Sequence, residues 1–427
     1  MKKTIPNLVL SDARGRIYIH PVLKMMASSA NSLRLPQEYE MIPLPKGCAL
    51  FYMPAHLPVG YDAEDNCEAI ISEFKGRRVF AVSAFLIPGF TRLLLPAAKK
   101  LDKDTILPLW SYAAVSWLKG RYQVAAIKID AMSRHKPFYY RDRKLLRSRI
   151  EESIKLYPQN RLIKHLAHCA FNYNCRTAQN LFFRRWEAPL PVSPVCNARC
   201  LGCLSLQDSD CVTASHERIN FVPTPDELKE VAVSHLNEAK EAIVSFGQGC
   251  EGEPLLQFET LKQAIIKIRK TTDKGTIHLN TNAYSPDYLE ELAELGLSSV
   301  RISLNSFQDD FYSAYYKPRG YKLKDVLRSI KTAKKSGLFV SLNLLVFPGL
   351  TDTPRELNRL LGFLKSGYID LLQLRNLCID PEFYLNKVPV IKEKPLGIYN
   401  MIRLIKRSSP RTRLGYFNPA RERFNLS

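Results

Sequence analysis

The sequence has no uninterrupted apolar run long enough to cross a membrane. Its longest apolar stretch, FAVSAFLIPGFTRLLLPAA, is broken by Pro88, Gly89, Arg92 and Pro96, and reads as buried strands joined by a turn. The first residues, MKKTIPNLVL, pass from two lysines to a proline and then the polar SDARGR, so no apolar signal core forms. There is no internal repeat of roughly 20–50 residues and no low-complexity segment, which excludes solenoids and repeat arrays. The eight histidines show no metal-ligand pairing: His165 and His168 are three apart, but no third ligand accompanies them. The ten cysteines are scattered and lack the spacing of a disulfide framework. These absences predict a cytoplasmic protein with reduced thiols and no membrane span.

Acidic residues are also scarce, 41 against 62 basic ones, giving a formal net charge of +21. Such an excess speaks to partners and not to fold. It is densest in RHKPFYYRDRKLLRSR (134–149) and IRLIKRSSPRTRLGYFNPARER (402–423), both of which mix arginine with tyrosine or phenylalanine. A solvated basic surface accounts for this, as does an acidic partner such as RNA or a phosphate-rich substrate; no nucleic-acid motif accompanies the charge.

A chain of 427 residues can hold two or three domains, including a barrel-sized core. Residues 1–135 carry short apolar runs, CALFYMP, RVFAVSAFLI and YQVAAIKID, which predict a β-rich or mixed domain. Residues 136–184 read as a helical connector, with Leu162, Ile163, Leu166, Ala167 and Ala170 on one stripe. From 185 to 380 strand and helix patterns alternate. The strands are expected at 188–193, 242–246, 276–280, 299–303, 339–347 and 369–376. Thr224-Pro225-Asp226-Glu227 reads as a capping box with proline in the first turn, and Thr353-Pro354-Arg355-Glu356 repeats it. Ser285-Pro286 opens a third helix that Gly296 closes. Six such units predict an α/β fold of parallel strands with right-handed crossovers, as an open sheet or a partial TIM-type (β/α)6 barrel. Residues 381–427 are left as a basic extension.

The chemistry centres on PVSPVCNARCLGCLSLQ (191–207), where Cys196, Cys200 and Cys203 are spaced CxxxCxxC just after the first strand. A structural zinc site takes four ligands, usually from two separated pairs. Three thiolates can instead hold three irons of a [4Fe–4S] cube and leave the fourth open to another ligand. Four further motifs follow successive strands: GQGCEGEPLL (247–256), NTNAY (280–284), RISLNS (301–306) and VFPGLTD (346–352).

In these motifs the sequence resembles the radical S-adenosylmethionine (radical SAM) enzymes over about residues 185–380. The resemblance implies a [4Fe–4S] cluster on Cys196, Cys200 and Cys203, with S-adenosylmethionine on the open iron. It implies reductive cleavage of that cofactor to a 5′-deoxyadenosyl radical, which abstracts hydrogen from a substrate. A reductant such as flavodoxin or ferredoxin is then a partner. The cofactor-binding positions it implies are Gly249, Gly252, Glu253 and Pro254, with Glu253 receiving the methionyl ammonium. Asn280, the strand-end pair Ser303 and Asn305 at the ribose, and Pro348 and Gly349 near the adenine complete the set. Many members carry an aromatic residue before the third cysteine; here Leu201-Gly202 stands there, leaving the adenine contact to backbone groups or Leu201.

Cys250, inside the glycine–glutamate motif, and Cys378, just past the sixth strand, are the catalytic candidates, as hydrogen donors or carriers of a covalent intermediate. Packed thiols are the alternative reading of both. Cys169, Cys175 and Cys211 are the residues an auxiliary cluster would draw on, although their spacing matches no ferredoxin signature. The substrate is a small molecule, a peptide or RNA. An RNA-modifying methyltransferase, a non-catalytic iron–sulfur electron carrier and a zinc-structured RNA-binding module remain as rival functions.

Overall fold

The computed structural model describes residues 5–130, 140–207 and 212–425. Cys211 and the start of the first basic segment, 134–139, lie outside them.

Residues 185–415 curl into a parallel sheet of seven strands in sequential order. We label them β1 (Arg185–Pro189), β2 (Lys240–Phe246), β3 (Thr276–Thr281), β4 (Ser299–Leu304), β5 (Phe339–Val346), β6 (Leu371–Asn376) and β7 (Arg413–Gly415). No ladder joins β1 to β7 among the described residues, so the sheet is a half-barrel. The α/β reading holds, with one strand more than expected: β7 comes from the basic extension and pairs Arg413–Gly415 with Leu371–Gln373. Its three residues are too few to show a period-2 pattern. β1 starts three residues and ends four residues earlier than expected, its carboxyl end giving way to the loop that carries the cysteines.

The strands have two unlike faces. Val300, Ile302 and Leu304 of β4, and Val340, Leu342 and Leu344 of β5, point outward and are buried. Crossover helices cover the outer face: α8 (Leu323–Lys335) lies against β4 and β5, α4 (Pro225–Glu238) lies against β1 and β2 with α5 (Phe258–Thr271) packed on it, and α9 (Pro354–Lys365) follows β5. α4 closes its capping box as predicted: Thr224 Oγ1 accepts from Glu227 N, and Glu227 accepts from Thr224 N. α9 does not. Thr353 makes no cap hydrogen bond there. Glu356 reaches instead to Ser306, Phe307 N and Gln308, pinning the turn after β4. The box motif therefore marks the helix start correctly, but a buried neighbour with three donors outcompetes the cap.

The helical connector forms α1 (Arg143–Leu156), α2 (Arg161–Phe171) and α3 (Arg176–Phe182), and the predicted α2 stripe is buried in full. Residues 7–128 form an antiparallel assembly, chiefly one sheet of twelve strands. It shares a continuous hydrophobic cluster with the half-barrel: Met25, Leu93, Leu107 and Tyr112 belong to the same buried group as Leu342 and Leu374. Above Gln373 the edge of β6 has no β7 partner, and Phe90–Arg92 takes it up. Thr91 Oγ1 donates to Leu374 O at 2.6 Å, and Asn376 bonds both Arg92 N and Phe90 O. Covering an open sheet edge in this way satisfies its backbone groups. Among the described residues no helix is long and apolar enough to cross a membrane.

The carboxyl-terminal residues close the opposite end. Arg421 N donates to Thr276 Oγ1, and Arg423 pairs with Glu241 at the start of β2. Arg421 and Arg423 of the second basic segment are thus tied to this end of the barrel, whereas its Arg403, Lys406, Arg407 and Arg411 are exposed.

Candidate active site

The predicted motifs meet at the carboxyl ends of the parallel strands, where α/β sheets place their ligands. The cysteine loop follows β1. Arg199 N and Leu201 N donate to the carbonyls of Tyr316 and Tyr315, at the end of α7 (Asp309–Tyr316), at 2.9 and 3.0 Å. On its other side, Gly252 N donates to Ser193 O at 2.7 Å and Glu253 N to Val195 O at 2.9 Å. A Cβ on Gly252 would lie 1.9 Å from Val195 O, so only glycine permits this approach.

Cys196, Cys200 and Cys203 are free and half-buried, and Cys196 and Cys203 lie near enough to Cys200 to raise its thiol. Burial pushes the Cys196 thiol up to about 11, with the neighbouring Glu253 adding to it. Burial and the other two sulfurs push Cys200 well above the ordinary thiol range. Metal cations take the place of thiol protons in a thiolate-ligated cluster. Among the described residues no three His, Cys, Asp or Glu side chains converge on one ion-sized point. Three cysteine thiols on one loop are chemically the donor set of a group whose sulfur ligands bind different metal atoms. Arg218 adds a cation that the sequence reading missed: its Nη2 donates to Cys203 Sγ at 3.4 Å and its Nε to Ser205 Oγ at 3.1 Å. Its place in ASHERI carries no motif that marks it.

Two glutamates in GCEGEP divide the work of this loop. Glu251 is a clamp. Its carboxylate accepts from the backbone N–H of Val192, Ser193, Gly247 and Gln248 at 2.6–3.1 Å, fastening the cysteine loop to the turn after β2. Burial nonetheless raises it to about 8. Glu253 is held by Thr281 Oγ1 at 2.5 Å, Asn282 N at 2.8 Å and Leu255 N at 3.0 Å, and burial raises it to about 7. A carboxylate offers about four acceptor positions, so one remains for a ligand beside Cys196. Pro254 is the first residue of a short 3-10 turn that Glu253 caps.

The other predicted positions divide. Ser303 faces inward and accepts from Asn343 Nδ2 at 3.1 Å. Asn305 is buried, its Nδ2 bonded to Phe311 O at 3.1 Å while its Oδ1 has no partner among the described residues. Asn280 is used within the fold, donating to Phe246 O and contacting His278. Pro348 and Gly349 form the floor on which the amino-terminal assembly docks. Ala30 N donates to Pro348 O at 2.8 Å, and a Cβ on Gly349 would lie 2.4 Å from Ala30 N.

The cysteine candidates sit in different places. Cys378 lies at the mouth: its carbonyl is 3.5 Å from where a Gly202 Cβ would stand, and its Sγ bonds Asn376 O. Burial raises its thiol, with Arg92 and Arg375 working the other way. Gly249 packs against His216 and Leu204. Cys250 is raised by burial and by Glu251, and its thiol neighbours are Cys169 and Cys175 on the α2–α3 side. Where the aromatic residue before Cys203 is missing, Tyr315 fills the space, its hydroxyl 3.0 Å from the Gly202 Cβ position. FYSAYY (311–316) is the sequence signal for this, an aromatic cluster directly after the β4 motif.

Comparison with known proteins follows this geometry. Residues 190–361 match the family model described as the Radical SAM superfamily. GTP 3′,8-cyclase of Listeria welshimeri is 31% identical over 189 residues, 43% of this chain and 51% of that protein. The FeMo cofactor biosynthesis protein NifB of Chlorobaculum tepidum is 25% identical over 181 residues, 38% of this chain and 41% of that protein. The chain thus spans about half the length, or less, of these relatives. A solved structure of native anSMEcpe with bound AdoMet is 23% identical over 46% of this chain and 52% of that one, with a TM-score of 0.35.

Proposed function

We propose that the chain, whose residues 190–361 match the Radical SAM superfamily model, is an enzyme of that superfamily and cleaves S-adenosylmethionine reductively at the mouth of the half-barrel. Membership implies an iron–sulfur cluster and S-adenosylmethionine. We assign the cluster as [4Fe–4S], held by Cys196, Cys200 and Cys203. The chemistry supplied by the bound pair is one-electron cleavage of the sulfonium, giving a 5′-deoxyadenosyl radical that abstracts hydrogen from the substrate.

The chain's own residues prepare this step. Glu251 fixes the cysteine loop against the turn after β2. Glu253 offers its remaining acceptor position to the methionyl ammonium. Arg218 donates to the Cys203 sulfur, which offsets thiolate charge and tunes the potential. Buried Tyr315 and Tyr384 wall the site from water. Ser303 is the position for the ribose. Radical SAM enzymes generally need a reductant, and we take flavodoxin or ferredoxin as its class here.

The observation that carries the reading is the placement of Glu253 beside Cys196, joined through the Gly252–Ser193 and Glu253–Val195 backbone bonds. The experiment is anaerobic reconstitution with iron and sulfide, then reduction with dithionite and S-adenosylmethionine. About four irons per chain and formation of 5′-deoxyadenosine are expected. Zinc in place of iron, or cofactor left intact under reduction, would sink the proposal.

A further inference from the structure

The inner face of the half-barrel is polar where a closed barrel is usually filled by Val, Ile and Leu. Parallel register sets Arg301 of β4 opposite Ser341 of β5, Asn343 of β5 opposite Gln373 of β6, and Leu345 opposite Arg375. Four buried polar atoms on these three strands have no hydrogen-bond partner among the described residues: Arg301 Nε, Ser341 Oγ, Asn343 Oδ1 and Gln373 Oε1. Each such atom costs free energy unless something else meets it.

The charges do not balance either. Glu187 of β1 is the carboxylate nearest to Arg301 in effect, yet its Oε1 is already taken by Ser245, Gln248 and Asn418. It makes no hydrogen bond to Arg301. Arg375 turns Nε and Nη2 to Tyr416 O, at 3.2 and 3.0 Å, which neutralises no charge. Burial, and after it the like charge of Arg375, lower Arg301 to about 9, which leaves it cationic at neutral pH. Ser341 and Gln373 are fully buried, whereas both arginines keep part of their surface open.

We propose that Arg301 and Arg375 form a subsite for an oxyanion, carboxylate or phosphoryl, carried by the enzyme's substrate. That substrate is a small polar molecule whose hydroxyl or amino groups donate to Asn343 Oδ1 and Gln373 Oε1. Planar guanidinium groups suit such oxyanions because they can donate two parallel hydrogen bonds. The assignment rests on the reading of the strand mouth as the site of radical formation, since the inner face lies directly beneath it.

The test is titration of the full-length chain with pyrophosphate and with citrate at constant ionic strength, by calorimetry. Wild type, R301M, R375M and R301K are compared, each first shown to be folded by circular dichroism. Saturable binding is expected in wild type, at least tenfold weaker in R301M and R375M and partly recovered in R301K. Preference for pyrophosphate would identify a phosphoryl group, and preference for citrate a carboxylate. Equal binding in wild type and both methionine variants would trace the signal to the basic surface and overturn the proposal. So would loss of S-adenosylmethionine affinity in R301M with anion binding intact, because the guanidinium would then serve the cofactor. Wild type that cleaves S-adenosylmethionine but shows no saturable anion binding refutes this inference alone. Wild type that binds anions through Arg301 but cleaves no cofactor refutes the proposed function alone.

Discussion

The two faces of the curled sheet are built from the same strands and obey opposite rules. Outward, Val300, Ile302 and Leu304 present only apolar side chains and disappear under helices. Inward, Arg301 and Ser303 sit between them on the same strand. Period-2 alternation puts stability on one side of the ladder and ligand chemistry on the other. A strand buried on both faces normally reads as a continuous hydrophobic run. Here Arg301, Ser303, Ser341, Asn343, Gln373 and Arg375 interrupt that run on the inner face.

The largest expected effect lies at the rim. Cys200→Ala should abolish cluster retention, with iron falling to background and no 5′-deoxyadenosine formed, because two thiolates cannot hold three irons. Melting temperature measured on the protein without iron should change little. Iron retained near wild-type levels in this variant would refute the ligand assignment.

The two faces can be separated directly on β5, where Leu342 and Asn343 are neighbours. Leu342→Ala should cost about 2–5 kcal/mol in urea unfolding, as for large-to-small changes in a packed core. Asn343→Leu removes an unpaired buried acceptor along with one hydrogen bond to Ser303, so it should cost no more than about 1 kcal/mol, while lowering turnover. If both substitutions destabilise equally, the inner face is ordinary core and the contrast fails.

A smaller effect is expected at Glu253. Glu253→Gln keeps the shape but removes the charge offered to the ammonium. Affinity for S-adenosylmethionine should fall about tenfold, about 1.4 kcal/mol, with iron content unchanged. Glu251→Gln tests its neighbour. It disturbs the four-bond clamp, so iron retention should suffer as well as cofactor binding. Matching phenotypes for the two variants would erase the division of labour between them.

Legibility followed the same division. The parallel alternation, the α2 stripe and the helix starts at Thr224 and Ser285 were all readable, because each is a local pattern with one physical cause. What escaped depended on contacts distant in sequence. Arg218 meets Cys203 across 15 residues, Thr91 meets Leu374 across 283, and Glu356 abandons its cap for the turn after β4. The short β7 strand is defined by its neighbour β6 and not by its own composition. Pro348 and Gly349 matched a cofactor motif, yet a second observable use, the docking of Ala30, came from a segment more than 300 residues away. Cys250 lay within a cofactor-facing motif in sequence, but a side chain's direction within a turn is not written in its spacing.

The smallest effect concerns two buried histidines, one behind each face. His278 of β3 points inward and His235 of α4 lies under the outer layer, its Nε2 bonded to Trp186 O at 2.7 Å. Burial lowers both to about 4. In the unfolded chain each returns to about 6.5. Above that value both states are neutral and stability does not depend on these groups. As pH falls from about 6.5 towards 4, the unfolded chain takes up protons that the folded chain refuses, and stability declines. Below about 4 both states are charged and the slope ends. His235 alone should account for about 1 kcal/mol of loss between pH 7 and 5.5. His235→Gln keeps a donor for Trp186 O and removes the titration, so its stability should fall less steeply over that interval in urea unfolding at stepped pH. A phosphoryl or carboxylate ligand on the inner face should leave the His235 contribution unchanged, since that ring lies under the outer layer. An acid limb identical in wild type and His235→Gln would place the proton uptake elsewhere, and His278, within reach of Glu187 and Arg301, would be the next group to replace.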